Sequence, residues 1–235
     1  MNLKEIQQRL EDLKGRGFIS THRRGPTGIG HTLEQELQLD ENNLAIPDLG
    51  GRVELKANRK KSGSMVTLFT FNRSVWQMSQ REVIETFGYI DDKGRRSLYS
   101  TVFHSSPNPQ GLEIQIDRGN HQVHLCHKNQ MLGTWSVFTI VGKFVTKLER
   151  LIVVFADNRI SEETGKEEFH FNEAYLLDKP DPDNFLDAFE KGLIAMDVRM
   201  HLKPTGALRN HGTGFRIDER NIPNLYEHRE QIIFV

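Results

Sequence analysis

Leu3, Ile6, Leu10 and Leu13 recur at three- and four-residue intervals, and Gly15 and Gly17 follow them. That spacing predicts a short amphipathic helix with a glycine stop. Gly25-Pro26 then breaks the chain, and Thr27 is placed to cap a second helix with Ile29, Leu33 and Leu37 on its inner face. Glu34 lies beside that face rather than opposite it. Residues 65–71 form a strongly apolar strand, and 74–87 read as a helix burying Val75, Met78, Val83 and Phe87. Residues 91–109 are turn-rich and give no decisive period. Residues 112–117 and 121–127 alternate with period two around Arg118-Gly119-Asn120, the signature of a hairpin.

The second half reads in the same way. Residues 144–150 look helical and lead into 151–156, a continuous apolar run expected of a central strand buried on both faces. Residues 169–171 and 174–177 add strand. Asp181-Pro182-Asp183 opens a helix reaching about Gly192, with proline where its missing N–H costs little. Residues 195–202 alternate, 206–214 read as a loop, 215–217 resume a strand, and 232–235 form an edge strand or a docked tail. Helices before, within and after strands predict an α/β domain with a mixed sheet. The 235 residues contain no repeat or linker and suffice for one large domain or two lobes sharing a cleft.

Composition narrows the class only slightly. No apolar run approaches the roughly 20 residues of a membrane span, and the polar start has no apolar core of a secretory signal. The single cysteine, Cys126, precludes an internal disulfide and fits a reducing cytosol. A net charge of −1 gives no overall reason to expect a polyanionic partner, but its distribution does. Residues 198–216 hold four basic residues, two histidines and no acid, whereas 157–183 hold nine acids against three bases. A basic segment of this kind is either a solvated loop or a face for a polyanion, with the acidic segment turned away.

The chemistry concentrates in residues 46–56, which read as two short strands joined at Gly50-Gly51. Alternation puts Glu54 and Lys56 on one face and Val53 and Leu55 toward a core. Folding Asp48 back toward Glu54 gathers two carboxylates and an ammonium, and like charges at close range repel unless a divalent ion joins them. An Asp, a turn and then Glu-x-Lys is the PD-(D/E)xK motif of a nuclease superfamily, here with its proline as Pro47-Asp48. A magnesium ion takes hard oxygen ligands and keeps several waters, stabilises charge on a scissile phosphate and acidifies a bound water. A neighbouring lysine can orient that water and offset the charge that develops. By itself, the motif describes a surface hairpin with an ordinary ion pair equally well.

An ordered set of further motifs sharpens the reading. Gly28-Ile29-Gly30-His31-Thr32-Leu33-Glu34, Glu41-Asn42-Asn43-Leu44, Pro47-Asp48-Leu49, Glu54-Leu55-Lys56, Leu68-Phe69-Thr70 and His211-Gly212-Thr213-Gly214-Phe215-Arg216-Ile217 follow one another. Over residues 28–217 the sequence resembles the MvaI/BcnI family of Type II restriction endonucleases, relatives of the mismatch-repair nicking enzyme MutH. The resemblance implies a restriction-endonuclease-like, MutH-like α/β fold with a mixed sheet flanked by helices and two lobes around a DNA cleft. The catalytic lobe is expected at about 1–90 plus part of the central region, and the recognition lobe at about 145–235.

The same resemblance assigns Asp48 and Glu54 to magnesium, with manganese or calcium able to replace it for binding. It makes Lys56 the catalytic lysine and Glu34 the helical acid that completes the cluster. The Gly-Gly turn makes the Asp-to-Glu interval one residue longer than expected for these enzymes, a difference that a hairpin turn or bulge absorbs. Asp197, Arg199, His211 and Arg216 match base-contacting positions, and arginine to guanine is the commonest specific major-groove contact. Arg209 falls in the same basic segment. Thr70 stands where one branch of the family carries a histidine, which favours a CCWGG-like over a CCSGG-like target.

The resemblance further implies a monomer acting on double-stranded DNA in a bacterial or archaeal cytoplasm, beside a cognate methyltransferase. Arg59, Lys60 and Lys61 are solvated loop residues by default and phosphate clamps in a nuclease. The rivals are a MutH-like strand-nicking repair enzyme and a non-catalytic DNA-binding protein retaining the fold. His121, His124 and His127 read as hairpin surface residues rather than zinc ligands, because His124 points opposite to the other two. Cys126 reads as a packed side chain, and Trp76 and Trp135 as core or interface residues.

Overall fold

The computed structural model describes residues 3–39, 53–60, 65–104 and 106–233. Both the first arm of the catalytic hairpin, with Asp48, and the Gly50-Gly51 turn lie outside the described residues, as does Lys61. Along the chain run α1 (Leu3–Gly15), β1 (Ile19–Ser20), α2 (Gly28–Glu36), β2 (Glu54–Arg59), β3 (Met65–Phe71), β4 (Val75–Trp76) and α3 (Gln80–Phe87). Next come β5 (Tyr89–Ile90), β6 (Arg96–Val102), β7 (Leu112–Asp117), β8 (Gln122–His127), β9 (Gln130–Ser136) and α4 (Val137–Lys147). The last elements are β10 (Arg150–Ile160), β11 (Glu167–Pro180), α5 (Pro182–Glu190), β12 (Ile194–Leu202), β13 (Leu208–Asn210), β14 (Thr213–Asp218) and β15 (Tyr226–Ile233), with a 3₁₀ turn at Glu219–Leu225. No described helix is long and apolar enough to cross a membrane.

These elements form two compact units. The first comprises residues 1–64, 146–180 and 226–235. Its sheet runs β1-β11-β10-β2, with β15 also on β11. Only β10 and β2 are parallel, with Leu55 opposite Ile152 and Lys56 opposite Val153. Ile6, Leu10 and Leu13 of α1 and Ile29 and Leu33 of α2 pack on the side carrying Val53, Leu55, Ile152, Val154 and Phe169. Leu151 and Val153 are fully buried on the other side, so this strand is shielded on both faces as its apolar run predicts. Ile232 and Ile233 belong to an edge strand rather than a tail.

The second unit, residues 65–145 and 181–225, holds two further sheets. One runs β3-β14-β12-β6-β5 with β13 beside β12, and the other is the antiparallel meander β4-β9-β8-β7. In the middle of β12 the faces alternate: Met196, Val198 and Met200 are buried, while Asp197 and Arg199 are half-buried. The buried side meets an aromatic core in which Phe215 stacks on Phe69 at 5.0 Å and on Phe71 at 5.5 Å. Phe189 stands edge-on to Phe215 at 5.9 Å, and Phe185 stacks on Phe144 at 4.7 Å.

Several expectations need correction. Residues 74–87 are not one helix. Val75-Trp76 pairs with β9, leaving Val75 exposed, and the helix starts only where Ser79 accepts from the Glu82 N–H in a capping box. Residues 91–109 contain β6, whose alternation is obscured because the inward-facing position between Leu98 and Val102 is Ser100. The helix expected at 144–150 lies earlier, at Val137–Lys147, and β10 begins at Arg150. Thr27 stands at the head of α2 without a capping hydrogen bond, whereas Asp181 caps α5 through Asp183 N and Asn184 N at 2.8 and 3.0 Å. His124 is no surface residue: it is buried, with Nδ1 2.9 Å from Thr134 Oγ1. Cys126 is buried, and burial pushes its thiol pKa up. Trp135 is buried and meets the half-buried Trp76 edge-on.

Two substitutions test this account. Phe215→Ala removes the ring that meets Phe69, Phe71 and Phe189 and should cost about 3–5 kcal/mol. Ser79→Ala should cost about 1 kcal/mol through the lost cap. Urea unfolding with an unchanged m-value reads both, and a loss below about 1 kcal/mol for Phe215→Ala contradicts the assigned core.

Candidate active site and recognition face

In the first unit, β2 divides its side chains by parity. Val53 and Leu55 face the helices, and Glu54, Lys56, Asn58 and Lys60 share the opposite face. The Glu54 carboxylate is 4% exposed. Its Oε1 receives two ammonium groups, Lys56 Nζ at 3.3 Å and Lys147 Nζ at 3.4 Å. Its Oε2 is buried with no hydrogen-bond partner among the described residues. An anionic oxygen withdrawn from water without a donor is costly, and it is the kind of ligand a hard divalent cation completes. No three His, Cys, Asp or Glu side chains cluster as a metal site among the described residues; Asp48 lies outside them. Nearby, Tyr226 donates from its buried hydroxyl to the Leu148 carbonyl at 3.0 Å, and burial with the Glu54 charge raises its pKa far above the usual phenol value.

Glu34 is half-buried on α2 and lines a cavity of about 320 Å³ together with Arg23, His31 and Ala57. Ala57 lies on the helix-facing side of β2, opposite in parity to Glu54 and Lys56. Arg59, at the end of β2, and Lys60 beyond it separate in the same way. Arg59 forms a bidentate pair with Glu167 at 2.6 and 2.7 Å and lies over the Phe169 ring, whereas Lys60 meets Glu173 at 3.0 Å on the other face. Lys61 falls outside the described residues. Lys147 had no sequence signal beyond its place in the last turn of a helix whose position was misjudged.

In the second unit, the polar side of the β3-β14-β12-β6 sheet gathers five of the expected recognition residues. Asp197 stands opposite Gly214 and Thr101, and Gly214 stands opposite Thr70. Asp197 Oδ1 accepts from Thr101 Oγ1 at 2.7 Å and Oδ2 from Arg216 at 3.1 Å. Arg216 also donates to the Met65 carbonyl at 2.7 Å, and Arg199 donates to Thr70 Oγ1 at 2.9 Å. Where Phe215 and Arg216 pair with β3, a bulge leaves Leu68 as the extra residue, so Leu68 and Phe69 are both buried while Thr67 comes opposite Arg216 on the polar side. The motif glycines make room: at Gly212, with φ of +89°, a Cβ would stand 2.7 Å from Thr70 Cγ2. At Gly214 the Arg199 guanidinium lies against the backbone.

Arg209 is exposed on β13 opposite His201, and the His211 N–H donates to the Arg199 carbonyl at 2.9 Å. Tyr99, Thr101 and His201 also belong to this face and escaped the sequence reading, the first two because β6 went unrecognised. Their signal was the alternation of 96–102 once Ser100 is allowed inside. Burial first, then Arg209 and Arg199, hold the His211 imidazole below its ordinary pKa.

Comparison with known proteins places the chain in a family and identifies its fold. The sequence model of the MvaI/BcnI restriction endonuclease family matches residues 7–226. No curated protein matches. The solved complex of restriction endonuclease MvaI with its cognate DNA substrate is similar at a TM-score of 0.79 and 24% identity, over 99% of this chain and 100% of that one. MvaI in the absence of DNA is similar at a TM-score of 0.59 and 23% identity, over 99% of each chain. At such identities the structural likeness establishes the fold, a mixed α/β restriction-endonuclease architecture, while the family match spans nearly the whole sequence. The chain therefore belongs to the MvaI/BcnI restriction endonuclease family, and is a DNA endonuclease.

Proposed function

We propose that the protein is a magnesium-dependent Type II restriction endonuclease that cuts double-stranded DNA at a short pseudosymmetric site, CCWGG-like rather than CCSGG-like. The observation that carries the metal assignment is the buried Oε2 of Glu54, without a hydrogen-bond partner among the described residues, beside two lysine ammonium groups on Oε1. Glu54 and Asp48 are the ligands, with Glu34 supporting the cluster, and manganese or calcium can occupy the same oxygens. When bound, the ion supplies a more acidic water and stabilises charge on the scissile phosphate. Lys56 orients the attacking water and offsets the charge gathered on phosphorus. Lys147 shares the neutralisation of Glu54. Breaking the P–O3′ bond leaves a 5′-phosphate and a 3′-hydroxyl.

The first unit is thus the cutting unit and the second the reading unit. Asp197 holds Arg216, and Thr70 holds Arg199, so both guanidinium groups are oriented before they meet a base edge, where each bidentate contact discriminates by about 1–3 kcal/mol. Thr70, standing where one branch of the family carries a histidine, is what supports the CCWGG-like preference. His211 reads a base edge from the same face. Arg209, Arg59, Lys60 and Lys61 bear on phosphates, the first from the reading unit. The enzyme acts as a monomer in the cytoplasm, with a cognate methyltransferase protecting host sites.

Digestion of a fully sequenced DNA with magnesium, followed by run-off sequencing, should give one recognition sequence with 5′-phosphate ends. Asp48→Ala, Glu54→Gln and Lys56→Ala should each lower the cleavage rate by about 10²–10³-fold or more, the scale of losing one preorganised charge-stabilising group. Lys147→Ala should cost roughly 10–100-fold, as loss of an outer-shell partner does. Full activity in Glu54→Gln removes the centre from β2, and a nicked product at completion favours the strand-nicking alternative.

A further inference from the structure

Beneath the exposed His211 ring lies a chain of side chains that the reading above leaves without a role. His201 is 6% exposed on β12. Its Nε2 is 3.3 Å from Arg95 Nη1, and its Nδ1 is 3.2 Å from both His211 Nε2 and the Tyr99 hydroxyl. Arg95 is itself fixed by Asp91, with Nε at 2.9 Å and Nη2 at 2.8 Å from Oδ2, and Ser97 donates to the same oxygen at 2.8 Å. The His201 ring is tilted against His211 at 5.2 Å and stacked on Tyr99 at 6.4 Å between centroids.

Proton counting gives this chain a direction. A guanidinium can only donate, so His201 Nε2 must accept from Arg95. A neutral imidazole with Nε2 as acceptor carries its proton on Nδ1. That N–H faces both His211 Nε2 and the Tyr99 hydroxyl at 3.2 Å; a ring nitrogen facing a protonated nitrogen can only accept, which leaves the proton of His211 on its own Nδ1. We propose that His201 is a positioning residue which, anchored by Arg95 and Asp91, locks His211 as an Nδ1–H donor toward a hydrogen-bond acceptor on a base edge in the major groove. The inference rests on the reading of the second unit as the DNA-reading unit.

The surroundings keep both rings neutral, as the lock requires. Burial foremost, then Arg95 and the neighbouring His211, with Arg209 behind them, hold His201 below the ordinary imidazole pKa, against the opposing charge of Asp91. Tyr99 adds an uncharged hydroxyl from β6, and Arg199 adds a further positive charge near His211. The acceptors available to such a donor are guanine N7 and O6, adenine N7 and thymine O4. Cytosine offers only a donor there, so the lock reads against cytosine at the contacted position.

Long-range nitrogen–proton NMR of histidine-labelled full-length protein at pH 7.5 tests the lock without DNA. Both His201 and His211 should show protonated Nδ1 and unprotonated Nε2. Arg95→Ala frees His201 Nε2 to take the proton, and should shift His211 toward Nε2–H although residue 95 does not touch it. A His211 found as Nε2–H in the unaltered protein overturns the proposal. In cleavage at the site found by run-off sequencing, His201→Phe should lower kcat/KM at least tenfold. His201→Asn, which places an amide N–H where Nδ1 stood, should recover most of that loss. Equal loss in both variants with an unchanged His211 tautomer reduces His201 to a packing role and overturns the proposal. A correct tautomer pattern in a protein that neither binds nor cuts DNA counts against the functional reading instead, and leaves the lock without a base to read.

Discussion

Each face of a β-strand sees a different environment, and this protein's sites depend on that constraint. On β12, Met196, Val198 and Met200 close a core of stacked phenylalanines, and the intervening Asp197, Arg199 and His201 are thereby held to one polar face. On β2, Val53 and Leu55 enter the helix-covered core and oblige Glu54 and Lys56 to share the other side. Side chains that must be oriented to within fractions of an ångström are carried on rigid strands whose reverse faces are sealed by apolar packing. A slip of one residue in either strand would exchange core for site.

The two sites handle charge differently. On the polar face of the second unit Arg216 is held by Asp197 and the Met65 carbonyl, and Arg199 by Thr70, so both guanidinium planes are set. On the cutting face Glu54 is withdrawn from water, drawn to two lysines through one oxygen and left unmet at the other. Unmet buried polarity of this kind costs stability and clusters where function requires it. The acids of β10 and β11 explain why the negative segment does not oppose a polyanion everywhere. Glu167, Glu168, Glu173 and Asp178 are each engaged by a basic side chain of the same unit.

Much of this was legible in the residues themselves. Parity alone put Glu54 and Lys56 together, helical spacing found α1, and the Asp181-Pro182-Asp183 start found α5, both with their boundaries nearly right. The family resemblance, carried by motifs spread over residues 28–217, gave the fold that the comparisons establish. What stayed hidden had physical causes. Ser100 inside β6 masked the alternation that would have exposed Tyr99 and Thr101, and Val75-Trp76 fitted a helical pattern by coincidence until Ser79 capped the true start. Lys147 reaches Glu54 from an element more than 90 residues downstream, and no local pattern records such a meeting. The His201 chain was equally silent, since which nitrogen carries a proton depends on Arg95 and Asp91, brought in from the turn between β5 and β6.

The most direct test of the central claim is anomalous diffraction from crystals soaked in manganese, an ion that takes the same oxygen ligands as magnesium. The account predicts a single strong peak bonded to Glu54 Oε2 and to Asp48, lost in Glu54→Gln. Manganese absent from Glu54, with the carboxylate still held only by Lys56 and Lys147, would contradict it.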